Sequence, residues 1–201
     1  MSERAPTIAA LYVETGGVYY GLDGVDPWDE ARDARLYDGP HPVVAHPPCA
    51  RWSVPLCYVN QTRYGLTVGD DSGCFEAALN AVRTYGGVLE HPRDSVAWSR
   101  FNLPRPRRGG WVTAMGDDGI TTAVDQYRYG HAAAKQTWLY AVGCEPVALD
   151  WRPAPAGETA LVSWLNPHLG RRRITKQEAS RTPLEFRDVL IEMARAAVRY
   201  E

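Results

Sequence analysis

Three short apolar runs in this chain each stop at a turn carrying reactive or conformationally special residues. Residues 8–13 (IAALYV) end at Glu14-Thr15-Gly16-Gly17, residues 42–45 (PVVA) at His46-Pro47-Pro48-Cys49, and residues 88–90 (VLE) at His91-Pro92. Apolar runs of this length bounded by Gly and Pro predict buried strands. Buried strands are the mark of a sheet covered on both faces. Residues 75–85 place Ala78, Leu79 and Val82 at helical spacing, and Gly86-Gly87 closes that helix just before the third strand. A helix feeding a strand through a glycine turn is the αβ step of a parallel sheet. In open α/β sheets ligands sit at the carboxyl ends of strands, so three loaded strand ends predict one shared site.

The remaining elements are less sharply marked. Residues 137–142 (TWLYAV) predict a further strand, and Pro183 opens a helix whose apolar stripe runs through Leu184, Val189, Leu190, Met193, Ala194 and Ala197. Residues 109–124 are glycine-rich and suit a hairpin. Residues 145–182 are loop-rich and proline-broken, so the whole chain, 1–201, is expected to form one α/β domain closed by a C-terminal helix over 183–201.

Composition bounds the class. With 201 residues, 45% hydrophobic and 23% charged, the chain is long enough to bury a core and not polar enough for disorder. No run approaches the roughly 18 apolar residues of a membrane span. Residues 1–7 lack the apolar stretch of a signal peptide, and four cysteines are too few for a disulfide framework. A cytoplasmic protein with no membrane partner is therefore expected. The net charge of −2 exerts no global pull on nucleic acid, but residues 100–108 and 171–187 are locally basic and suit a polyanion.

Cys49 follows two prolines and precedes Arg51, a rigid placement beside a cation of the kind that favours a thiolate. A buried cysteine acting as a small hydrophobe is the plainer alternative. Glu90 ends an apolar strand, where burial would raise its pKa and suit proton donation; its alternative is to cap the next turn. Gln126-Tyr127-Arg128 and Lys135 precede the strand at 137 and suit a phosphate clamp or a base edge, or else a solvated loop. His46-x-x-Cys49 with Cys57 and Cys74 offers zinc-type ligands, but only that first pair has ligand-like spacing, and no metal is expected. His131 and His168 are isolated and suit ordinary surface or core positions.

The order of these islands resembles the DNA cytosine-5 methyltransferases. The matching segments are ALYVETGGVYYGL (10–22), HPPCARWS (46–53), VLEHP (88–92) and QYRYGHAAAKQTWLYAVG (126–143), with a weaker likeness of residues 180–183 and the last helix to the family's closing motif. The chain also looks like small phage-encoded proteins that carry HPPC and EHP motifs, which would place it in the host cytoplasm. The resemblance implies a compressed Rossmann-like methyltransferase fold with a mostly parallel sheet and no target-recognition domain. It implies a transferase acting at C5 of a pyrimidine, cytosine first, in single-stranded or base-flipped DNA. Cys49 would be the nucleophile and Glu90 the ring acid, with Arg128 and Arg51 orienting base or phosphate. S-adenosylmethionine would be held by Glu14, Thr15, Gly16, Gly17 and Asp26, and DNA by Trp52, Ser53, Gln126, Arg171, Arg172 and Arg173.

The chain departs from the family pattern in several places. Residues 18–48 are too few for two βα steps, and no apolar second strand ends in an acid for a cofactor ribose. Glu90 is followed by His-Pro instead of Asn-Val, and Gly130 stands where a second arginine is expected. Two alternatives follow: C5-pyrimidine or nucleotide modification with another donor, or a non-catalytic nucleic-acid-binding module on the same fold.

Overall fold

The structure, a computed structural model, describes residues 7–53, 62–63, 65–113, 118–162 and 172–197. It is an α/β protein built on one seven-stranded mixed sheet. The strands are β1 (Ile8–Leu11), β2 (Val25–Trp28), β3 (Val43–Ala45), β4 (Gly87–Pro92), β5 (Val112–Thr113), β6 (Ile120–Asp125) and β7 (Gln136–Val142), in the spatial order β2-β1-β3-β4-β7-β6-β5. A separate parallel pair joins β8 (Leu161–Val162) to β9 (Arg173–Ile174). The described helices are α1 (Cys74–Tyr85), α2 (Ala97–Arg100), α3 (Lys176–Ser180) and α4 (Leu184–Arg195), with short 3-10 turns between strands.

The expected strands at 8–13, 42–45, 88–90 and 137–142 are present with shifted ends. The third runs on through His91-Pro92, because both residues pair with β7. The hairpin is β5–β6. The C-terminal helix starts one residue late, with Pro183 as its cap.

The sheet is not mostly parallel. The pairs β1–β2, β1–β3 and β3–β4 are parallel, whereas β4–β7, β6–β7 and β5–β6 are antiparallel. The physical reason is the connection between strands. The parallel pairs β1–β2 and β3–β4 are each joined by a crossover of about a dozen residues or more, the second carrying α1, and such crossovers are what parallel pairs need. The later strands are joined through the short α2, a hairpin and a 3-10 turn, and the chain returns antiparallel.

Alternation along the central strands sorts the core into two layers. Ala9, Leu11, Val43, Ala45 and Leu89 face α1 through Phe75, Ala78, Leu79 and Val82. Ile8, Ala10, Val44 and Val88 face α4 through Phe186, Leu190, Ile191 and Met193. Both sides of β1, β3 and β4 are therefore covered, which explains why these strands are continuously apolar. At Gly87 the close approach of strands demands glycine: its φ is +114°, and a Cβ would lie 2.0 Å from the Val43 carbonyl oxygen.

β2 is a strand that the sequence pattern hides. Its residues, Val-Asp-Pro-Trp, include a proline that cannot donate to a ladder. Proline is tolerated because β2 is an edge strand, and only β1 pairs with it. The chain leaves β1 to one side for β2, then returns to the other side for β3. A crevice opens at such a switch point, outside the carboxyl ends of the strands.

Candidate active site

A cleft of about 950 Å³ lies at that crevice. Its walls are the turn after β1 (Tyr12 to Tyr19), the turn after β3 (His46 to Cys49), Glu90 and Pro92 of β4, Lys135, and the 179–182 segment at the end of α3. Antiparallel pairing brings the later residues to the same edge. Pro92 pairs with Thr137, and Asp125 with Gln136, so the start of β7 and the end of β6 sit beside the end of β4.

Glu90 is the buried anchor, 8% exposed. Its Oε2 accepts from His46 Nδ1 at 3.1 Å, and its Oε1 accepts from Gln126 Nε2 at 3.0 Å and Thr137 Oγ1 at 3.2 Å. Burial alone would raise its pKa. The His46 hydrogen bond and the Lys135 charge outweigh burial and hold the carboxyl at about 2. The expected proton-donating glutamic acid is therefore a carboxylate at neutral pH, an acceptor whose orientation is fixed by three donors.

A carboxylate can only accept, so His46 donates through Nδ1, which leaves the Nε2 side of the ring facing Tyr19. The Tyr19 hydroxyl lies 2.8 Å from that Nε2. Tyr19 is 2% exposed. Burial and the negative Glu90 push its phenol well above the usual range, so it stays neutral.

Cys49 lines the cleft at the head of a turn in which its own carbonyl accepts from the Trp52 and Ser53 amides, each at 3.0 Å. The expectation that Arg51 would favour its thiolate is corrected. Burial and the nearby Glu90 carboxylate raise the Cys49 pKa, and the opposing cations are Lys135 and Lys176. The resting thiol is protonated. Lys135 donates to the Ser180 and Arg181 carbonyls at 2.9 and 2.7 Å, which fastens the 179–182 wall across the cleft. Burial lowers its pKa, while the Glu90 carboxylate raises it.

The glycine turn is a separate, tightly braced piece. Gly17 N donates to Glu14 O at 2.8 Å, and a Cβ on Gly17 would collide with that same oxygen at 2.8 Å. Asp29 stands immediately after β2, a strand that is not apolar, so an acid follows the second strand after all. Its carboxylate accepts from Thr15 Oγ1 and Tyr20 OH, each at 2.7 Å, and from the Ala31 amide at 3.1 Å. Asp29 thus braces the glycine turn instead of facing the cleft. Asp26, expected to hold the cofactor, lies within β2 and engages Trp28 Nε1 and Arg32.

Other expected site residues sit elsewhere. Arg51 is not among the residues lining the cleft. Trp52, expected to stack on a base, is 2% exposed and packs on Phe75 and Phe101, with its Nε1 donating to Asp71. Ser53 forms a bridge with Ser95. Arg128 donates to the Arg152 and Pro153 carbonyls and does not line the cleft. Gln126 is 1% exposed, so it positions Glu90 instead of meeting DNA. Arg172 and Arg173 are exposed at β9, while Arg171, Cys57 and His168 lie outside the described residues. Among the described residues no group of three or more His, Cys, Asp or Glu side chains is placed to hold a metal ion, and no helix is long and apolar enough to cross a membrane.

The structure thus brings Cys49, Glu90 and the Glu14–Gly17 turn to one cleft. It adds Tyr19 and the 179–182 wall to the cleft, with Thr137 behind Glu90; of these the sequence marked only residues 180–183. His46 could have been found by its place one residue past a strand, at the opening of the same Pro-Pro turn as Cys49. Comparison with family models, with curated proteins and with solved structures finds no match to this chain.

Proposed function

We propose that this chain is a DNA-modifying transferase that acts at C5 of a pyrimidine, cytosine first, through Cys49 as nucleophile. The observation that carries the reading is the convergence of Cys49, the oriented Glu90 carboxylate and an open glycine turn on one cleft at the switch point. On this reading the parallel half of the sheet is a shortened Rossmann-like methyltransferase core. The Cys49 thiolate adds to C6 of the ring, which makes C5 nucleophilic; C5 would then bond to the donor's electrophilic carbon as the donor's leaving group departs, and loss of the C5 hydrogen as a proton and of Cys49 as a thiolate would restore the ring. Glu90, with one acceptor position left beside its three donors, takes a hydrogen bond from the ring's amino edge. The target base must be met single-stranded or flipped from a duplex.

The cleft suits S-adenosylmethionine in part of its lining. A Cβ on Gly16 would meet nothing within 4 Å, so ligand atoms can approach the backbone there. Glu14 is exposed on the same wall and suits the cationic end of that molecule. Glu14, Thr15, Gly16 and Gly17 would hold it, and when bound it supplies an electrophilic methyl group. A second reading keeps Cys49 and Glu90 but changes the donor or takes a free nucleotide. It is favoured by Asp29, whose carboxylate is committed to Thr15 and Tyr20 and leaves no strand-end acid for a ribose.

The test is covalent trapping. An oligodeoxynucleotide carrying 5-fluorocytosine, incubated with S-adenosylmethionine, should give a denaturation-stable adduct at Cys49 that is absent in Cys49→Ala. Nucleoside mass spectrometry of treated DNA with other donors separates the two readings. No adduct across several sequences, with unchanged DNA binding by Cys49→Ala, would leave a binding module.

A further inference from the structure

The 179–182 wall of the cleft carries donors that no described residue satisfies. Arg181 and Thr182 both line the cleft, and neither side chain has a hydrogen-bond or ion-pair partner among the described residues. Lys135 stands beside them. Its ammonium donates to the Ser180 and Arg181 carbonyls at 2.9 and 2.7 Å, which commits two of its three N–H donors and leaves the third. The Lys135 backbone is held at φ +39°, a region that costs a lysine energy, and the Gln126 amide fixes it by donating to its carbonyl at 3.2 Å. The acids nearby are occupied. Glu178 accepts from the Thr175 amide and hydroxyl at 2.7 and 2.9 Å, and Glu90 already has three donors. Two cations and a hydroxyl thus share one short stretch of wall with no carboxylate bonded to any of them among the described residues, a set that an anion would complete. A tetrahedral oxyanion suits it, since its oxygens can meet an ammonium, a guanidinium and a hydroxyl together.

We infer that Lys135, Arg181 and Thr182 form a phosphate subsite that grips the target nucleotide by the phosphate on its sugar. The inference deepens the proposed function by naming the handle of its substrate, and it rests on that reading for the nucleotide but not for the anion. No bond is made or broken at the phosphate. Its charge is the same before and after the ring reacts, so the grip lowers KM and leaves kcat unchanged. The cleft then has two chemically distinct walls. The turn after β1 carries the exposed acid Glu14, which suits a cationic donor, and the 179–182 wall carries the cations that suit an anionic substrate. A free nucleotide and a strand present the same phosphate chemistry to this wall.

The experiment compares two alkylating agents at Cys49 in the full chain, followed peptide by peptide by mass spectrometry: iodoacetate, an anion, and iodoacetamide, its neutral analogue. Both react with the thiolate, so their rate ratio cancels the thiol's own pKa and reports the charge around it. The Lys135 charge already acts on Cys49. Arg181→Gln keeps both Lys135 hydrogen bonds, which go to backbone carbonyls, and should lower the iodoacetate-to-iodoacetamide ratio at Cys49 by about threefold or more while the ratio at Cys74 stays unchanged. Arg181→Lys should keep most of it. Inorganic phosphate should slow iodoacetate at Cys49 more than chloride at the same ionic strength, and should lose that advantage in Arg181→Gln. An unchanged ratio in Arg181→Gln, or phosphate no better than chloride, would overturn the subsite. A second arm reads protection of Cys49 from iodoacetamide. Deoxycytidine 5′-monophosphate should protect at a concentration about tenfold below that of deoxycytidine, and Arg181→Gln should erase the difference without changing deoxycytidine. Stronger protection by a single-stranded oligodeoxynucleotide than by the monophosphate assigns the phosphate to a strand, and the reverse assigns it to a free nucleotide. S-adenosylmethionine, whose carboxylate is the rival anion, should protect equally in wild type and Arg181→Gln; a loss there gives the wall to the donor and overturns the inference. Phosphate competition without protection by any pyrimidine keeps the anion site and sinks the pyrimidine reading. Equal protection by nucleoside and monophosphate keeps the pyrimidine reading and sinks the phosphate grip.

Discussion

Glu90 and His91 are neighbours in the chain with opposite electrostatic fates. Glu90 points to the cleft, and its three donors keep it charged. His91 is fully buried between Phe75 and Trp98, and neither ring nitrogen has a hydrogen-bond partner among the described residues. Burial lowers the His91 pKa from 6.5 to about 4, although the Glu90 charge and the Pro48 backbone pull the other way. The unfolded chain therefore takes up a proton at His91 below pH 6.5 that the folded chain refuses until about pH 4. Folding stability should fall across that window by about 3 kcal/mol and lose nothing further from this residue below it. Urea unfolding at pH 7 and pH 4 should show that loss in the wild type and a much smaller one in His91→Leu. Glu90 acts lower. Its depressed pKa contributes stability that is present above 4.5 and lost as the pH falls toward about 2. On the proposed function, Glu90→Gln should also reduce turnover far more than nucleic-acid affinity, since its charge would serve the transition state; equal losses in kcat and binding would mark it as structural. Cys49 and Glu90 were legible because each lies at or just beyond the end of an apolar run. Tyr19 and Thr137 were assigned no role, and Lys135 was read as a phosphate clamp or base-edge residue, because what they do is set by residues 27, 47 and 45 positions away.

Among the elements, α3 is short and owes its ends to specific contacts. A capping box between Thr175 and Glu178 starts it, and the Lys135 ammonium holds the carbonyls at its end. Lys135→Met should loosen the 179–182 wall, which hydrogen–deuterium exchange would detect as faster exchange at residues 179–182 with little change in α4. In β4, Gly87→Ala should cost about 3 kcal/mol or more, since the added methyl would meet the Val43 carbonyl in a backbone region disfavoured for alanine; thermal melting measures it. The legible elements were those with a strong period and clear punctuation: α1, α4 and the two-sided strands. β2 was hidden because an edge strand tolerates Asp26 and Pro27, which break any apolar pattern. The antiparallel half of the sheet was equally hidden, because pairing direction is decided by connections and not by strand composition.

At the scale of the whole molecule, exposed arginines such as Arg105, Arg172 and Arg173 lie outside the cleft lining and suit phosphates better than base edges. On the proposed function, replacing Arg172 and Arg173 by Gln should weaken binding to all sequences alike and reduce the salt slope by about 1 to 2; fluorescence titrations at several salt concentrations would show it. A strong preference for one short site, lost in that variant, would contradict this.

The switch point has a consequence for how the cleft is assembled. Its walls come from residues 12–19, 46–49, 90, 135 and 179–182, and the hydrogen bonds that join them link residues 27 to 46 positions apart. Pairings of that separation are slow to form, and the ladder of β3 with β4, which pairs Val43 with Gly87, is of the same kind. The final wall, 179–182, is fastened by Lys135 only once the chain through residue 181 is present. A nascent chain that has not yet emitted residue 182 would carry Cys49 in a cleft that lacks one wall.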